Sequence, residues 1–132
     1  MTPAEARANL AAALDGLTIG EPEQPVTVHP RQPSRVTPPC VILTPADPWM
    51  DTTEDLPYGA AWFRYTAQVI VPNGTLEAVS DDLDSLVGSV ILAALSAPGE
   101  WHMDSVSAPD PTLINDQPYL SADVALSAPF TL

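Results

Sequence analysis

The ten residues WFRYTAQVIV, Trp62 to Val71, constrain the fold more than any other stretch of the chain. Apolar residues alternate with polar ones along it, and successive side chains of a strand point to opposite faces of a sheet. One face would therefore carry Phe63, Tyr65, Ala67, Val69 and Val71, and the other Arg64, Thr66 and Gln68. This alternation predicts a sheet that is covered on one face only.

The N-terminal segment predicts a helix over about residues 3–16. Thr2 and Glu5 have the spacing of a capping box, and Pro3 stands at the first helical position, where its missing N–H costs nothing. Apolar residues then recur at helical spacing. Alanine is common among them, which favours close packing on a sheet.

A second helix is predicted over about residues 81–97. Asp81 is the expected N-cap, with Asp82 and Asp84 at the positive end of the helix dipole. Seven residues would form its apolar face: Leu83, Leu86, Val87, Val90, Ile91, Ala94 and Leu95. This helix should supply much of the core.

The remaining segments predict strands and two unusual connections within one domain, 1–132. A proline-rich arm covers 21–39, where proline restricts the short run VTVH to a sheet edge. The run PCVILT predicts a buried strand, a long acidic loop follows at 45–61, and a C-terminal strand pair is expected within 100–130. The order of elements indicates an α+β fold: a mainly antiparallel sheet of 4–5 strands with two helices packed on one face.

The loop at 45–61 is the main anomaly, because it holds large apolar residues among four carboxylates. Loops beyond ~12–15 residues inside a compact domain are usually functional or disordered. Either this loop folds back over its own sheet, or it docks on another subunit with Trp49 and Tyr58 as anchors. The residues proposed for such an interface are Trp49, Met50, Leu56, Tyr58, Arg31 and Arg35.

Charge restricts the possible partners. The chain has 17 carboxylates, four arginines and no lysine, so its net charge is −13. Residues 65–132 contain nine carboxylates and no Lys or Arg. Phosphate binding needs Lys or Arg to displace counterions. The chain is therefore not expected to grip nucleic acid over any sizeable surface.

No catalytic, metal or cofactor site is predicted. The group Asp81, Asp82 and Asp84 lacks the glycine and final glutamate of a calcium loop, and neither His29 nor His102 has a partner at ligand spacing. Cys40 begins an apolar run and is interpreted as a buried small side chain. No segment approaches the ~18 apolar residues of a membrane span, and the start does not have the pattern of a signal peptide. We therefore expect neither an enzyme nor a membrane partner.

As a whole, the chain resembles the tail terminator (tail completion) and neck proteins of long-tailed bacteriophages, most of all those infecting actinobacteria. The resemblance rests on an alanine-rich N-terminal helix followed by PPCVILTPADPWM, FRYTAQVIVP, DDLDSLVGSVILAAL and the C-terminal WHMDSVSAPDPTLINDQPYLSADVALSAPFTL. It covers nearly the whole chain as a pattern. None of these pieces is a catalytic signature.

The resemblance implies a virion protein that closes into a ring, commonly a hexamer, at the head-proximal end of the tail. Its partners would be further copies of itself, the major tail tube protein and a head-completion or neck protein. DNA would pass through the lumen without specific binding, and assembly would occur in the host cytoplasm. A neck or head-completion role, another minor tail role, and a small acidic ligand-binding module or enzyme with loop 45–61 as a lid remain alternatives.

Overall fold

A computed structural model describes residues 2–20, 23–52 and 56–131. Its helices are α1 (Pro3–Leu14) and α2 (Leu76–Leu95). Its strands, in chain order, are β1 (Thr18–Ile19), β2 (Gln24–Pro25), β3 (Thr27–His29), β4 (Cys40–Asp51), β5 (Ala60–Ile70), β6 (His102–Val106), β7 (Asp110–Ile114) and β8 (Gln117–Thr131). The α+β fold predicted from the order of elements is confirmed.

The main sheet has six strands, more than the 4–5 predicted. Its order is β3-β4-β5-β8-β6, and β7 pairs with the other end of β8. Strand β5 is antiparallel to both of its neighbours, β4 and β8, whereas β3 pairs parallel with the first residues of β4. The arm therefore adds one short edge strand, at the run VTVH that proline restricts to an edge. Strands β1 and β2 form a separate two-stranded ribbon.

Both helices cover the same face of the sheet, as the alternation of apolar and polar residues in β5 predicted. The predicted inward residues of β5, from Phe63 to Val71, are buried with Leu10 of α1 and Leu86 of α2 in one hydrophobic core. The alternate residues Arg64, Thr66 and Gln68 are half-buried on the opposite face. We call this second surface the open face.

Helix α1 is fixed at both ends by local interactions. The Glu5 backbone N–H donates to Thr2 Oγ1 at 3.2 Å, which confirms the N-cap. The helix ends at Leu14, two residues before the predicted end, and Gly16 follows with φ of +90°. The Tyr65 hydroxyl donates to the Pro3 carbonyl at 3.2 Å and so ties α1 to the middle of β5.

Helix α2 begins five residues earlier than predicted. Thr75, not Asp81, is the N-cap, and its Oγ1 accepts from the Ala78 N–H at 3.3 Å. Asp81, Asp82 and Asp84 therefore lie inside the helix rather than at its end. Leu95, which was predicted in the core face, is 48% exposed. Among the described residues, no helix combines the length and apolar character needed to cross a bilayer.

The first half of the predicted loop 45–61 is strand, so the loop prediction was wrong there. β4 continues to Asp51, and its register against β5 shifts between Pro45 and Met50. This irregularity accommodates the two prolines that suggested a loop, because proline is tolerated at bulges and on strand edges. The connection between β4 and β5 is thus 52–59; we call it the β4–β5 loop. Its residues 53–55 lie outside the described ranges.

The C-terminal segment forms three strands rather than the predicted pair. The run PDPTLINDQP contains β7, which pairs with the start of β8. Asn115 and Asp116 join the two strands, with φ of +51° and +64°. Positive φ at both central residues is the signature of a two-residue type I′ hairpin turn. Strand β6 pairs with the later half of β8.

Candidate functional site

The open face has two ends with different chemistry. β4 runs from Cys40 to Asp51 and β5 returns from Ala60 to Ile70, so the β4–β5 loop lies at one end and the proline-rich arm at the other. We call these the loop end and the arm end. At ~3.3 Å per residue, the eleven residues of β5 separate the two ends by roughly 30 Å.

Two side-chain contacts connect neighbouring strands on the open face near the loop end. Arg64 Nη2 lies 3.3 Å from Asp51 Oδ2, which links β5 to the last residue of β4. His102 packs edge-on against Trp62, with ring centroids 5.5 Å apart. These contacts join residues of β4, β5 and β6 beside the loop, so Arg64 is already engaged within its own subunit.

The proposed anchors at the loop end divide into buried and exposed residues. Trp49 is half-buried and packs on its own core, with its ring centroid 6.1 Å from that of Phe63. Met50 is 40% exposed, Leu56 is half-buried, and Tyr58 is fully exposed. The position of Trp49 therefore agrees with the alternative in which residues 45–61 fold back over their own sheet. Of these four anchors, Tyr58 and Met50 are the ones that are exposed to solvent.

A groove of about 670 Å³ opens at the arm end, between the arm and the β7–β8 hairpin. Its lining consists of arm residues 32–37, Ile42, Gln68, Ile70 and 112–115. We call it the arm groove. Ile42 and Ile70 belong to a second, smaller hydrophobic cluster with Cys40, packed beneath Val36, Ile114 and Tyr119. The arm and hairpin thus cover one end of the face that the alternation in β5 predicted to be uncovered.

A hydrogen-bond network fixes one wall of the arm groove. Gln68 Nε2 donates to Thr112 Oγ1 at 3.4 Å, and the hydroxyls of Thr112 and Ser121 lie 2.6 Å apart. Ser121 Oγ also donates to the Asp110 carbonyl at 3.2 Å. The network connects β5, β8 and β7 through side chains of the open face. The position of β7 beside the groove is therefore fixed by side chains as well as by its pairing with β8.

The two arginines of the proposed interface lie on the arm. Arg31 and Arg35 are both exposed, and Arg35 lines the arm groove whereas Arg31 does not. The other two arginines have partners: Arg64 pairs with Asp51, and the Arg7 guanidinium lies 5.9 Å from the centre of the Tyr65 ring. Since the chain has no lysine, its exposed side-chain cations are confined to the arm.

Cys40 lies under the arm groove and is fully buried, as its apolar run predicted. Burial raises the pKa of its thiol from 9.0 to about 11, because desolvation disfavours the thiolate. The thiolate is the reactive form of cysteine, so this thiol is chemically quiet at neutral pH. Its role here is that of a small apolar side chain.

The structure does not gather the six proposed interface residues into one site. Trp49, Met50, Leu56 and Tyr58 lie at the loop end, and the two arginines lie on the arm, at the other end of the sheet. The groove itself was not predicted from the sequence. It brings the arm together with the β7–β8 hairpin, which lies far along the chain, and only the polar face of β5, with Gln68, indicated that a second surface existed.

Within the ranges 2–20, 23–52 and 56–131, no three His, Cys, Asp or Glu side chains are placed to hold a metal ion together. Comparison with known proteins gives no family profile that matches the chain, and a search of curated proteins finds no relative.

Proposed function

We propose that this chain is a structural subunit of a bacteriophage virion: a tail terminator that forms a ring, caps the tail tube and offers the surface that joins the head. Support comes from the resemblance of its segments to tail terminator and neck proteins and from the surfaces of the subunit. A neck or head-completion role is the nearest alternative, since such proteins share size, acidity and the ring habit.

The observation that carries this proposal is the exposure of Tyr58 and Met50 beside an acidic connection. Aromatic residues and methionine are enriched at protein interfaces, where they fill pockets of the partner. A subunit that works by assembly needs such side chains on its surface before it meets its neighbour. The surrounding carboxylates would keep the free subunit soluble.

The charge distribution fits a ring through which DNA passes. Acidic residues lie along α2, at Glu77, Asp81 and Asp84, and on the β6–β8 side of the sheet, at Asp104 and Asp123; all five are exposed. From residue 65 onward no Lys or Arg offsets them. A lumen lined by either surface would repel phosphates, so the genome would pass without being held.

A small acidic ligand-binding module or enzyme with loop 45–61 as its lid is the alternative from a different class. The arm groove, at about 670 Å³, is within the roughly 300–1,000 Å³ of small-molecule sites. However, the loop lies at the other end of β5 and does not cover it. A ligand in this groove would therefore be held by the arm and the β7–β8 hairpin.

Tube capping tests the proposal. The purified chain is mixed with tail tubes assembled from the major tail tube protein of the same phage, and the mixture is imaged by negative-stain electron microscopy. We expect density at one end of each tube and shorter tubes when the chain is present during assembly. Unchanged tube lengths with bare ends would count against a terminator, and binding to connector particles instead would favour the neck role.

A further inference from the structure

We propose that the loop end of one subunit docks in the arm groove of a second copy, so that Tyr58 enters the groove and the acidic residues of β4 meet Arg35. This inference rests on the proposed ring function and names the two surfaces that form the subunit contact. The partner is thus another copy of this chain, bound head to tail.

Geometry prevents the two surfaces from meeting within one subunit. They lie at opposite ends of β4 and β5, roughly 30 Å apart along the strands. Each copy therefore has one unoccupied donor surface and one unoccupied acceptor surface. Contacts between two different patches are heterologous, and they produce a closed ring when the rotation between subunits closes.

The chemistry of the groove suits a tyrosine. Val36, Leu113 and Ile114 line it with apolar atoms that are not fully covered, and the side-chain oxygen of Gln68 can accept from a phenol. Tyr58 combines a large apolar ring with one hydroxyl and is fully exposed in the free subunit. Its burial would remove that ring from water without leaving its hydroxyl unpaired.

Charge favours the arm over the other surfaces of the subunit as the place where the acidic segment binds. Residues 45–62 carry four carboxylates, of which Asp47 is exposed at the register shift of β4. The surfaces of α2 and of β6–β8 are acidic and would repel this segment. Arg31 and Arg35 are the exposed side-chain cations of the chain, and Arg35 lines the groove. An acidic segment of a second copy is therefore attracted to the arm.

Cysteine cross-linking tests the contact. Pro57→Cys, at the exposed position next to Tyr58, is combined with Ser34→Cys, an isosteric change at an exposed position in the groove lining. The matched control combines Pro57→Cys with Leu92→Cys, on the exposed side of α2. Native Cys40 can stay, because it is buried and its thiol pKa is raised. A short bismaleimide should link the first variant into a ladder of oligomers and leave the control mostly unlinked.

Substitutions give a second readout that does not require cross-linking. Tyr58→Ala should weaken self-association by roughly tenfold or more, as expected for a central interface residue, and Arg35→Gln by roughly two- to fivefold, as expected for one exposed ion pair. The matched controls Leu92→Ala and Arg31→Gln make the same kinds of change outside the two surfaces and should have little effect. Sedimentation velocity over a concentration series measures the association, and circular dichroism confirms that each variant is folded.

The possible results separate this inference from the proposed function. Rings that form without links between positions 57 and 34, and that tolerate Tyr58→Ala, would overturn the docking contact while leaving the ring function intact. A chain that neither assembles nor caps tubes would overturn both. Links between positions 57 and 92 at a similar yield would place the neighbour on α2 and would also reject the groove as the acceptor.

Discussion

Two tyrosines of this chain have opposite environments. Tyr65 is wholly buried, and its hydroxyl donates to the Pro3 carbonyl of α1, whereas Tyr58 is fully exposed on the β4–β5 loop. Each therefore has a different expected sensitivity to substitution. Tyr65 contributes to folding, and the proposal assigns Tyr58 to assembly.

Tyr65→Phe should lower the free energy of unfolding by about 1 kcal/mol, since it removes one hydrogen bond and leaves the Pro3 carbonyl without this donor. Tyr58→Phe is the matched control and should change stability by less than about 0.5 kcal/mol, because surface substitutions away from structural contacts do so. Urea denaturation of the unassembled subunit measures both. Equal effects of the two changes would contradict the assignment of Tyr65 as the tie between α1 and the sheet.

Cys40 should react slowly with a thiol reagent at pH 8 until the chain unfolds, because its side chain is covered and its pKa is raised to about 11. The unfolded thiol, with a pKa near 9.0, ionises first as the pH rises. The stabilising contribution of the buried neutral thiol is therefore complete below pH 9 and is lost as the pH rises through 11. Labelling rates with and without denaturant check the prediction; rapid labelling of the native chain would refute it.

At the scale of elements, the sequence prediction and the structure differ on where α2 begins. Thr75→Ala should lower the free energy of unfolding by about 1 kcal/mol, because Thr75 Oγ1 accepts from the Ala78 N–H. Asp81→Ala, at the position predicted as the N-cap, should change it by less than about 0.5 kcal/mol, since Asp81 is an exposed residue within the helix. Thermal or urea unfolding of the two variants decides between the two starts.

Elements with a strong internal pattern could be predicted from the sequence. The alternation from Phe63 to Val71 correctly identified β5 and its buried face, and Thr2 with Glu5 correctly identified the start of α1. Both signals depend on neighbours within a few residues. Such local signals are independent of how the rest of the chain packs.

Elements with an ambiguous local pattern were predicted wrongly. Asp81 and Asp82 have the composition of a helix start, but the preceding residues 76–80 are helical because Val79 joins the core and Thr75 caps the chain earlier. Pro45 and Pro48 suggested a loop, yet pairing with β5 carries the strand on to Asp51. In each case a tertiary contact outweighed a local preference.

The arm groove could not be predicted at all from local signals. It depends on the arm and the β7–β8 hairpin both returning to the end of β5, where Ile42 and Ile70 form a second cluster. The sequence identified Arg31 and Arg35 as interface candidates only from their scarcity. The structure separates them, because Arg35 lines the groove and Arg31 lies outside it.

For the whole molecule, net charge opposes assembly. Each subunit carries −13, so copies repel at long range, while the proposed contact adds only a few exposed ion pairs, each worth roughly 0–1 kcal/mol. Salt screens charges beyond ~8 Å at physiological ionic strength. Self-association should therefore strengthen as salt rises from low to physiological concentration. Sedimentation velocity at several salt concentrations measures this; assemblies that dissociate as salt is added would contradict the electrostatic account.

The central claim is that the chain works by assembling into a ring through two different surfaces. Cryo-electron microscopy of the concentrated protein at physiological salt tests it most directly. The account predicts closed rings of one subunit number, with the β4–β5 loop of each copy in the arm groove of the next. Solitary subunits at every concentration and in the presence of tail tubes, with a small molecule bound in the arm groove, would contradict it.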